Sequence, residues 1–265
     1  MPTSFDLTDK VALVTGAGRG LGAAIAKELA SHGASVVVNY ARSAAAAQRV
    51  VDEIEALPGK PRAIAIQADV TQPAEVTRLF ETAIEHLGKI DIVMSNSGME
   101  AFSAEEDVTA ELYDEVFGLN TRAQFFVAQH ALKYGSHGGR LILTSSVAAQ
   151  MTGVKNHALY AGSKAAVEGF TRSFAADCGP KKMTVNAVAP GGIYTDMYLE
   201  NSWHYAPDGY PGMPIEQIDK GIASLCPLGR TGKPLDVARV VAFLSSAEGE
   251  WINGQVIKLT GGSSA

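Results

Sequence analysis

Short runs of β-branched and aliphatic residues alternate along this 265-residue chain with longer stretches whose apolar positions recur at helical spacing. Seven runs read as strands: Val11–Thr15, Ser35–Val38, Ala63–Ile66, Ile90–Met94, Leu141–Thr144, Thr184–Val188 and Val256–Leu259. They are apolar almost throughout, as a parallel strand covered on both faces requires. Helical segments fall near 20–32, 43–56, 73–87, 109–134, 158–178 and 235–246. Strand and helix in this alternation predict repeated right-handed βαβ units, hence an α/β fold with a doubly wound seven-stranded parallel sheet and helices on both faces. No linker, compositional shift or internal repeat divides the chain, so residues 1–265 are expected to form a single domain.

Residues 192–226 break the rhythm. They gather Tyr194, Met197, Tyr198, Trp203, His204, Tyr205, Tyr210 and Met213 with Pro207, Pro211 and Pro214. An irregular stretch of this length in a compact domain predicts a functional loop or lid. The alternative is a surface excursion whose aromatics fill the gaps beneath it.

Composition narrows the function. With 46% hydrophobic and 19% charged residues, apolar burial outweighs chain entropy, which excludes a disordered tail protein. A net charge of −6, with no basic run beyond Lys181-Lys182, argues against nucleic acid as a partner and favours small molecules or copies of the chain itself. Cys178 and Cys226 are too few for a disulfide framework or a thiolate metal site and suit a reducing compartment. Met1–Asp6 carry no basic leader, and no apolar run approaches the ~18 residues of a membrane span, so a cytoplasmic protein is expected.

The first strand leads into Thr15-Gly16-Ala17-Gly18-Arg19-Gly20-Leu21-Gly22 and then into a helical pattern. Glycines at these positions permit a tight turn and bring backbone N–H groups close to a pyrophosphate, which the positive end of the helix stabilises. After the second strand comes Asn39-Tyr40-Ala41-Arg42-Ser43, with no acid between Glu28 and Asp52 to hold a ribose 2′-hydroxyl. Arg19 and Arg42 stand where a 2′-phosphate would lie, so NADPH is the expected cofactor. Arg42 has a plainer alternative as a solvated residue opening a helix. Asp69-Val70 and Asn96-Ser97-Gly98 end the third and fourth strands, where an Asp can bond the adenine amine and a Gly turn leaves room beside the adenine ribose.

The fifth strand ends in Thr144-Ser145-Ser146, and Tyr160-Ala161-Gly162-Ser163-Lys164 follows at the head of a helix. Tyr160 and Lys164, at i and i+4, share one helical face. A nearby ammonium and the positive charge of oxidised nicotinamide are both expected to favour the phenolate and make Tyr160 a usable proton relay, with Ser146 bonding the reacting oxygen. A lone Tyr-x-x-x-Lys pair is more often an exposed helix face, but here it follows a serine-ended strand and a nucleotide turn. Asn120 sits inside a helical pattern that its side chain disfavours. No His-Glu-x-x-His, metal-spaced Cys pair or Gly-x-Ser-x-Gly competes, and no metal is expected.

In order and spacing, Thr15-Gly16-x-x-x-Gly20-x-Gly22, Asn96-Ser97-Gly98, Asn120, Ser146, Tyr160-x-x-x-Lys164 and Pro190-Gly191 resemble the short-chain dehydrogenase/reductase family over essentially the whole chain. The resemblance implies a Rossmann fold and a tetrad of Asn120, Ser146, Tyr160 and Lys164. Tyr160 is then the proton donor in reduction, Lys164 binds the nicotinamide ribose and lowers the phenol's pKa, and Asn120 holds a water. It also implies cofactor contacts from Thr144, Ile193, Thr195 and Met197, and a homotetramer packed through the helices near 109–134 and 158–178. The family's usual Asn-Asn/Ala-Gly is Asn96-Ser97-Gly98 here.

Val38-Asn39-Tyr40-Ala41, Ser95-Asn96-Ser97-Gly98, Asn120–Val127, His157-Ala158-Leu159-Tyr160 and Ala189–Met197 are similar to the fungal polyketide reductases of hydroxynaphthalenes, versicolorins and anthrols. Met99-Glu100, Asn201–Tyr205 and the ending Leu259–Gly262 look most like the anthrol reductases, which act on hydroquinones such as that of emodin. Such a substrate is reduced through its keto tautomer in a broad aromatic pocket. Met99, Phe102, Met151, Gly192, Met197, Tyr198, Trp203 and Tyr205 are its candidate lining, with His157 able to bond a phenolic hydroxyl. Ordinary core packing is the alternative for each, and helix capping for His157. Competing functions are reduction of another carbonyl (a trihydroxynaphthalene, a versicolorin, a steroid ketone, a 3-oxoacyl thioester) and nucleotide sensing without chemistry.

Overall fold

A computed structural model describes residues 5–263; the first four residues, on which part of the leader argument rested, and the last two lie outside it. The strands are β1 (Val11–Val14), β2 (Ser35–Tyr40), β3 (Ala63–Gln67), β4 (Ile92–Ser95), β5 (Arg140–Thr144), β6 (Thr184–Pro190) and β7 (Val256–Leu259). They form one parallel sheet in the order β3-β2-β1-β4-β5-β6-β7. The chain order reverses between β1 and β4, which opens the crevice at their carboxyl ends where such folds bind ligands.

Alternation along each strand feeds two cores. Ala12 and Val14 of β1 join Val36 and Val38 of β2 on one face, while Leu13 and Val37 point to the other. The first face is covered by α1 (Gly20–Ser31), α2 (Ala44–Glu55) and α9 (Pro234–Ser245), through residues such as Ile25, Leu29, Ile54 and Val241. The second is covered by α3 (Pro73–Leu87), α5 (Ala123–Tyr134) and α6 (Ala158–Asp177), through Leu79, Phe80, Val127 and Val167. No helix among the described residues is long and apolar enough to cross a membrane.

Three details depart from the expectations. The segment expected as one helix over 109–134 is α4 (Ala110–Phe117), a π-turn (Gly118–Arg122) and α5. The π-turn carries Asn120, whose side chain bonds outside its own helix; such bulges mark functional positions. Strand β2 continues to Tyr40, so Asn39 and Tyr40 belong to the sheet and only Ala41–Ser43 lie beyond it. Residues 192–226 are partly helical. They hold α7 (Asp196–Asn201), a 3₁₀ turn (Ser202–His204) and α8 (Ile215–Ser224), closed on a small core of Tyr198, Ala206 and Ile218 with Trp203, Met213, Ile215 and Ile222 packed against it.

Candidate active site

The turn from β1 to α1 needs its glycines for defined reasons. Gly16 and Gly20 have φ of +61° and +56°, in the left-handed region that side chains disfavour. A Cβ on Gly22 would stand 2.4 Å from the carbonyl oxygen of Gly16. Thr15 joins this turn to the end of β4: its hydroxyl accepts from the N–H of Asn96 (2.9 Å) and of Ser97 (3.1 Å). The Asn96 amide donates back to the carbonyls of Thr15 (3.0 Å) and Gly16 (3.3 Å). Asn39 supports the turn from behind; its side chain accepts from Gly16 N and donates to the Ile66 and Ala68 carbonyls, so it shapes the turn.

Around this turn lie the other expected cofactor residues. Leu21 packs against the first core, and Val70 is buried at the end of β3. The Asp69 carboxylate accepts from Thr71 N (3.0 Å) and Oγ1 (2.7 Å) through one oxygen, leaving the other free of bonds within the described chain. Ser43 accepts from Ala46 N to cap α2, and Arg42 is exposed with no ion pair among the described residues. Arg19, also exposed, reaches Asp196 at 3.4 Å. Thr195, which caps α7, lies 3.9 Å from the position of a Cβ on Gly20, bringing the segment after β6 over the turn. Pro190 ends β6, Gly191 lies against Thr260, Ile193 is buried and Met197 is exposed. The donor chemistry fits a dinucleotide: the N–H groups opening α1 receive no side-chain cap from Arg19, the exposed residue that precedes them.

The four expected catalytic residues converge at the carboxyl ends of β4 and β5. Lys164, 3% exposed, donates from Nζ to the Thr144 carbonyl at 3.0 Å and sits 5.8 Å from the centre of the Tyr160 ring. A Cβ on Gly98 would fall 3.2 Å from both Lys164 Nζ and Asn120 Oδ1, so the fourth-strand turn lies against the pair. Asn120 accepts from Met99 N (2.9 Å) and donates to Met99 O (2.9 Å) and Ser163 Oγ (3.0 Å). Its carbonyl accepts from Gln124 Nε2 at 3.0 Å, and the same Gln124 clamps both backbone groups of Thr144. Ser146 begins a 3₁₀ turn, its hydroxyl accepting from Ala148 N (3.2 Å).

From the chain's own groups the Tyr160 phenol is pushed up: burial dominates, the Glu100 charge adds to it, and the Ser146 hydroxyl opposes them. Burial lowers Lys164 to about 8, with Glu100 pulling the other way.

The expected substrate residues separate into two groups. Phe102 and His157 meet Tyr160 in a stack: the His157 ring lies 5.0 Å from that of Tyr160 and 4.5 Å from that of Phe102. His204 stacks on Phe102 at 3.6 Å, and Trp203 on His204 at 3.6 Å. Tyr205 stands edge-on to this wall and hydrogen-bonds Glu100 and His157. His157 occupies the N-cap position of α6, but its side chain makes no capping bond there. Tyr198, by contrast, is buried in the small core with its hydroxyl donated to Asp219 at 2.6 Å, turned away from a ligand role. Met99 is fixed through its backbone by Asn120, Gly192 lies near Ile222 and Tyr198, and Met151 closes the 3₁₀ turn through Val147. Sequence reasoning missed Glu100, His204 and Gln124 as site residues. An acid directly after the Asn-Ser-Gly turn and a Gln four residues past Asn120 were the available signals.

Over residues 16–264 the chain matches the family described as Enoyl-(Acyl carrier protein) reductase. It is 65% identical over 261 residues to the hydroxynaphthalene reductase-like protein Arp2 of Metarhizium robertsii, covering 98% of this chain and 97% of that protein. It is 62% identical over 253 residues to the tetrahydroxynaphthalene reductase PfmaG of Pestalotiopsis fici, covering 96% and 91%. It is 54% identical over 260 residues to the versicolorin reductase stcU of Emericella nidulans, covering 98% and 97%. Among solved structures it superimposes on a short-chain dehydrogenase of Burkholderia cenocepacia in complex with NADP, with a TM-score of 0.86 and 39% identity over 98% of this chain and 99% of that one. The angucycline C-6 ketoreductase LanV with bound NADP gives 0.85 and 36% over 98% and 97%. A nucleotide turn, a converged Asn–Ser–Tyr–Lys tetrad and these relatives agree: the chain belongs to the short-chain dehydrogenase/reductase family, in its subgroup of fungal polyketide reductases.

Proposed function

We propose that this chain is an NADPH-dependent reductase of polyhydroxylated fused-ring arenes, taken as their keto tautomers, with hydroxynaphthalenes as the first substrate class. The observation that carries it is the approach of Lys164 and Tyr160 beneath a stacked aromatic wall, with Ser146 at the adjoining strand end. The names of the relatives from Metarhizium robertsii and Pestalotiopsis fici support the naphthol class. Gly16, Gly20, Arg19 and Arg42 would hold the phosphates, Asp69 and Gly98 the adenosine half, and Lys164 the nicotinamide ribose. When bound, the dinucleotide supplies the hydride.

The protein supplies position and the proton. Ser146 holds the carbonyl oxygen, and Tyr160 donates its phenolic proton to that oxygen as negative charge develops there. Lys164, fixed by the Thr144 carbonyl, places its ammonium beside the phenol and offsets the phenolate that remains. Asn120 positions the Met99-Glu100 backbone. Flat rings would meet the Tyr160–His157–Phe102–His204 stack at its ring edges, since the faces of Phe102 and His157 are taken up within the stack.

A second reading, anthrol hydroquinones as substrate, is favoured by Met99-Glu100 and Asn201–Tyr205, the motifs that looked most like anthrol reductases. Two of their residues, Glu100 and Tyr205, meet in the pocket wall. An anaerobic panel of a tetrahydroxynaphthalene, a dithionite-reduced emodin, a steroid ketone and a 3-oxoacyl thioester, followed by NADPH oxidation, separates the classes. Turnover of the naphthol is expected. Turnover of the steroid or thioester alone overturns the proposal, and turnover of reduced emodin alone selects the second reading.

A further inference from the structure

Glu100 is a carboxylate where the surroundings are almost entirely aromatic. Its side chain is 9% exposed, and it lies between Tyr205 and His157 at the wall that also carries Phe102. The hydrogen-bond directions are fixed by counting protons. Tyr205 has one O–H, which it donates to Glu100 Oε1; the Tyr205 oxygen lies 2.9 Å from His157 Nε2, so that nitrogen is the donor to it. The chain therefore runs His157 to Tyr205 to Glu100, and His157 Nε2 lies 3.8 Å from Glu100 Oε1. Glu100 Oε2 makes no hydrogen bond among the described residues and is not sealed from solvent. The wall thus offers a ligand a carboxylate oxygen as acceptor.

The placement relative to the chemistry is equally defined. His157 stacks on Tyr160 with ring centres 5.0 Å apart, and the neighbouring Met99 is held at both backbone groups by Asn120. The carboxylate is thereby held at a set position near the proton donor. We infer that Glu100 is a specificity-determining residue, whose Oε2 accepts a hydrogen bond from a ring hydroxyl of the fused-ring substrate other than the reacting oxygen. Tyr205 and His157 are positioning residues that hold the carboxylate in that orientation. This inference rests on the proposed substrate class and adds the group that reads its hydroxylation. A site with a charged acceptor at fixed position discriminates against a ligand that cannot donate to it, because the acceptor is then desolvated without a partner.

The test compares ring-hydroxylated 2-tetralones with their methyl ethers, which differ in being a donor or only an acceptor. Binding to the full chain saturated with NADP+ is read from tryptophan fluorescence, and turnover with NADPH is read in parallel. Wild type is expected to bind one of the hydroxylated isomers about ten- to a hundredfold more tightly than its ether, the range for a charge-assisted bond. Glu100→Gln keeps an acceptor for Tyr205 but turns an amide N–H toward the ligand, so the hydroxyl-to-ether ratio should collapse by about tenfold or more. A merely structural role would weaken both ligands alike and leave the ratio unmoved; a ratio within twofold of wild type overturns the inference. If Glu100→Gln fails to fold by circular dichroism, Tyr205→Phe releases the carboxylate from its anchor, and the same ratio decides. Discrimination in binding without any turnover would overturn the reductase proposal and leave the role of Glu100 standing; turnover with an unmoved ratio does the reverse.

Discussion

Replacing Lys164 with methionine is expected to strengthen the fold while ending turnover. The lysine is carried inside at a cost that its lowered pKa expresses: burial takes it from 10.5 to about 8. At ~1.4 kcal/mol per unit, that drop corresponds to roughly 3 kcal/mol of destabilisation while the group stays charged. Methionine matches the length and the apolar stem, and the Thr144 carbonyl keeps a donor in Gln124 Nε2 at 2.8 Å, so no acceptor is orphaned. A net gain of about 1–3 kcal/mol at neutral pH follows, in line with other buried charges exchanged for apolar groups. For a chain of this size that raises the melting temperature by roughly 2–4 °C per kcal/mol. The sign with pH is determined. Below about 8 the folded and unfolded lysine are both protonated and the full cost is present. Between there and 10.5 the unfolded chain binds more protons, so wild-type stability rises with pH and the methionine advantage shrinks; above 10.5 it is gone. Thermal unfolding by circular dichroism at about pH 7 and about pH 10, with NADPH oxidation on the same samples, reads all three effects. A methionine variant less stable at neutral pH, or an advantage indifferent to pH, would refute the reasoning.

Tyr160→Phe should lower turnover by about 10²–10⁴, the usual worth of a positioned proton donor, while NADPH binding by fluorescence stays near wild type; unchanged turnover removes the phenol from the mechanism. Arg42→Ala should weaken NADPH by about tenfold or more and NADH far less, since only the former carries the 2′-phosphate. Equal losses in a titration of both cofactors would reassign this exposed residue to the surface. Light scattering should give four times 27.8 kDa, with Phe125 and Tyr113, exposed on α5 and α4, covered by symmetry mates; a monomeric mass contradicts that assembly.

The sheet was legible because its strands are apolar on both faces, a pattern that few other structures produce. The glycine turn and the Tyr160–Lys164 spacing were legible for the same local reason: each depends on residues adjacent in the chain. What escaped was set by distant contacts. The break in the helix at Asn120 depends on a bond to Met99, twenty-one residues earlier. The upward displacement of the Tyr160 phenol depends on depth of burial and on Glu100, neither visible in a heptapeptide window. The two helices of 192–226 were hidden by three prolines and by a core too small to impose a long apolar period.

That small core also separates two jobs the molecule must do. Because Tyr198, Ala206 and Ile218 close on one another and not on the central sheet, the substrate-side segment settles its own packing. Mutations beyond Asp196 can reshape the aromatic wall from this side while Thr195 and Asp196 keep their contacts with Gly20 and Arg19 in the nucleotide turn.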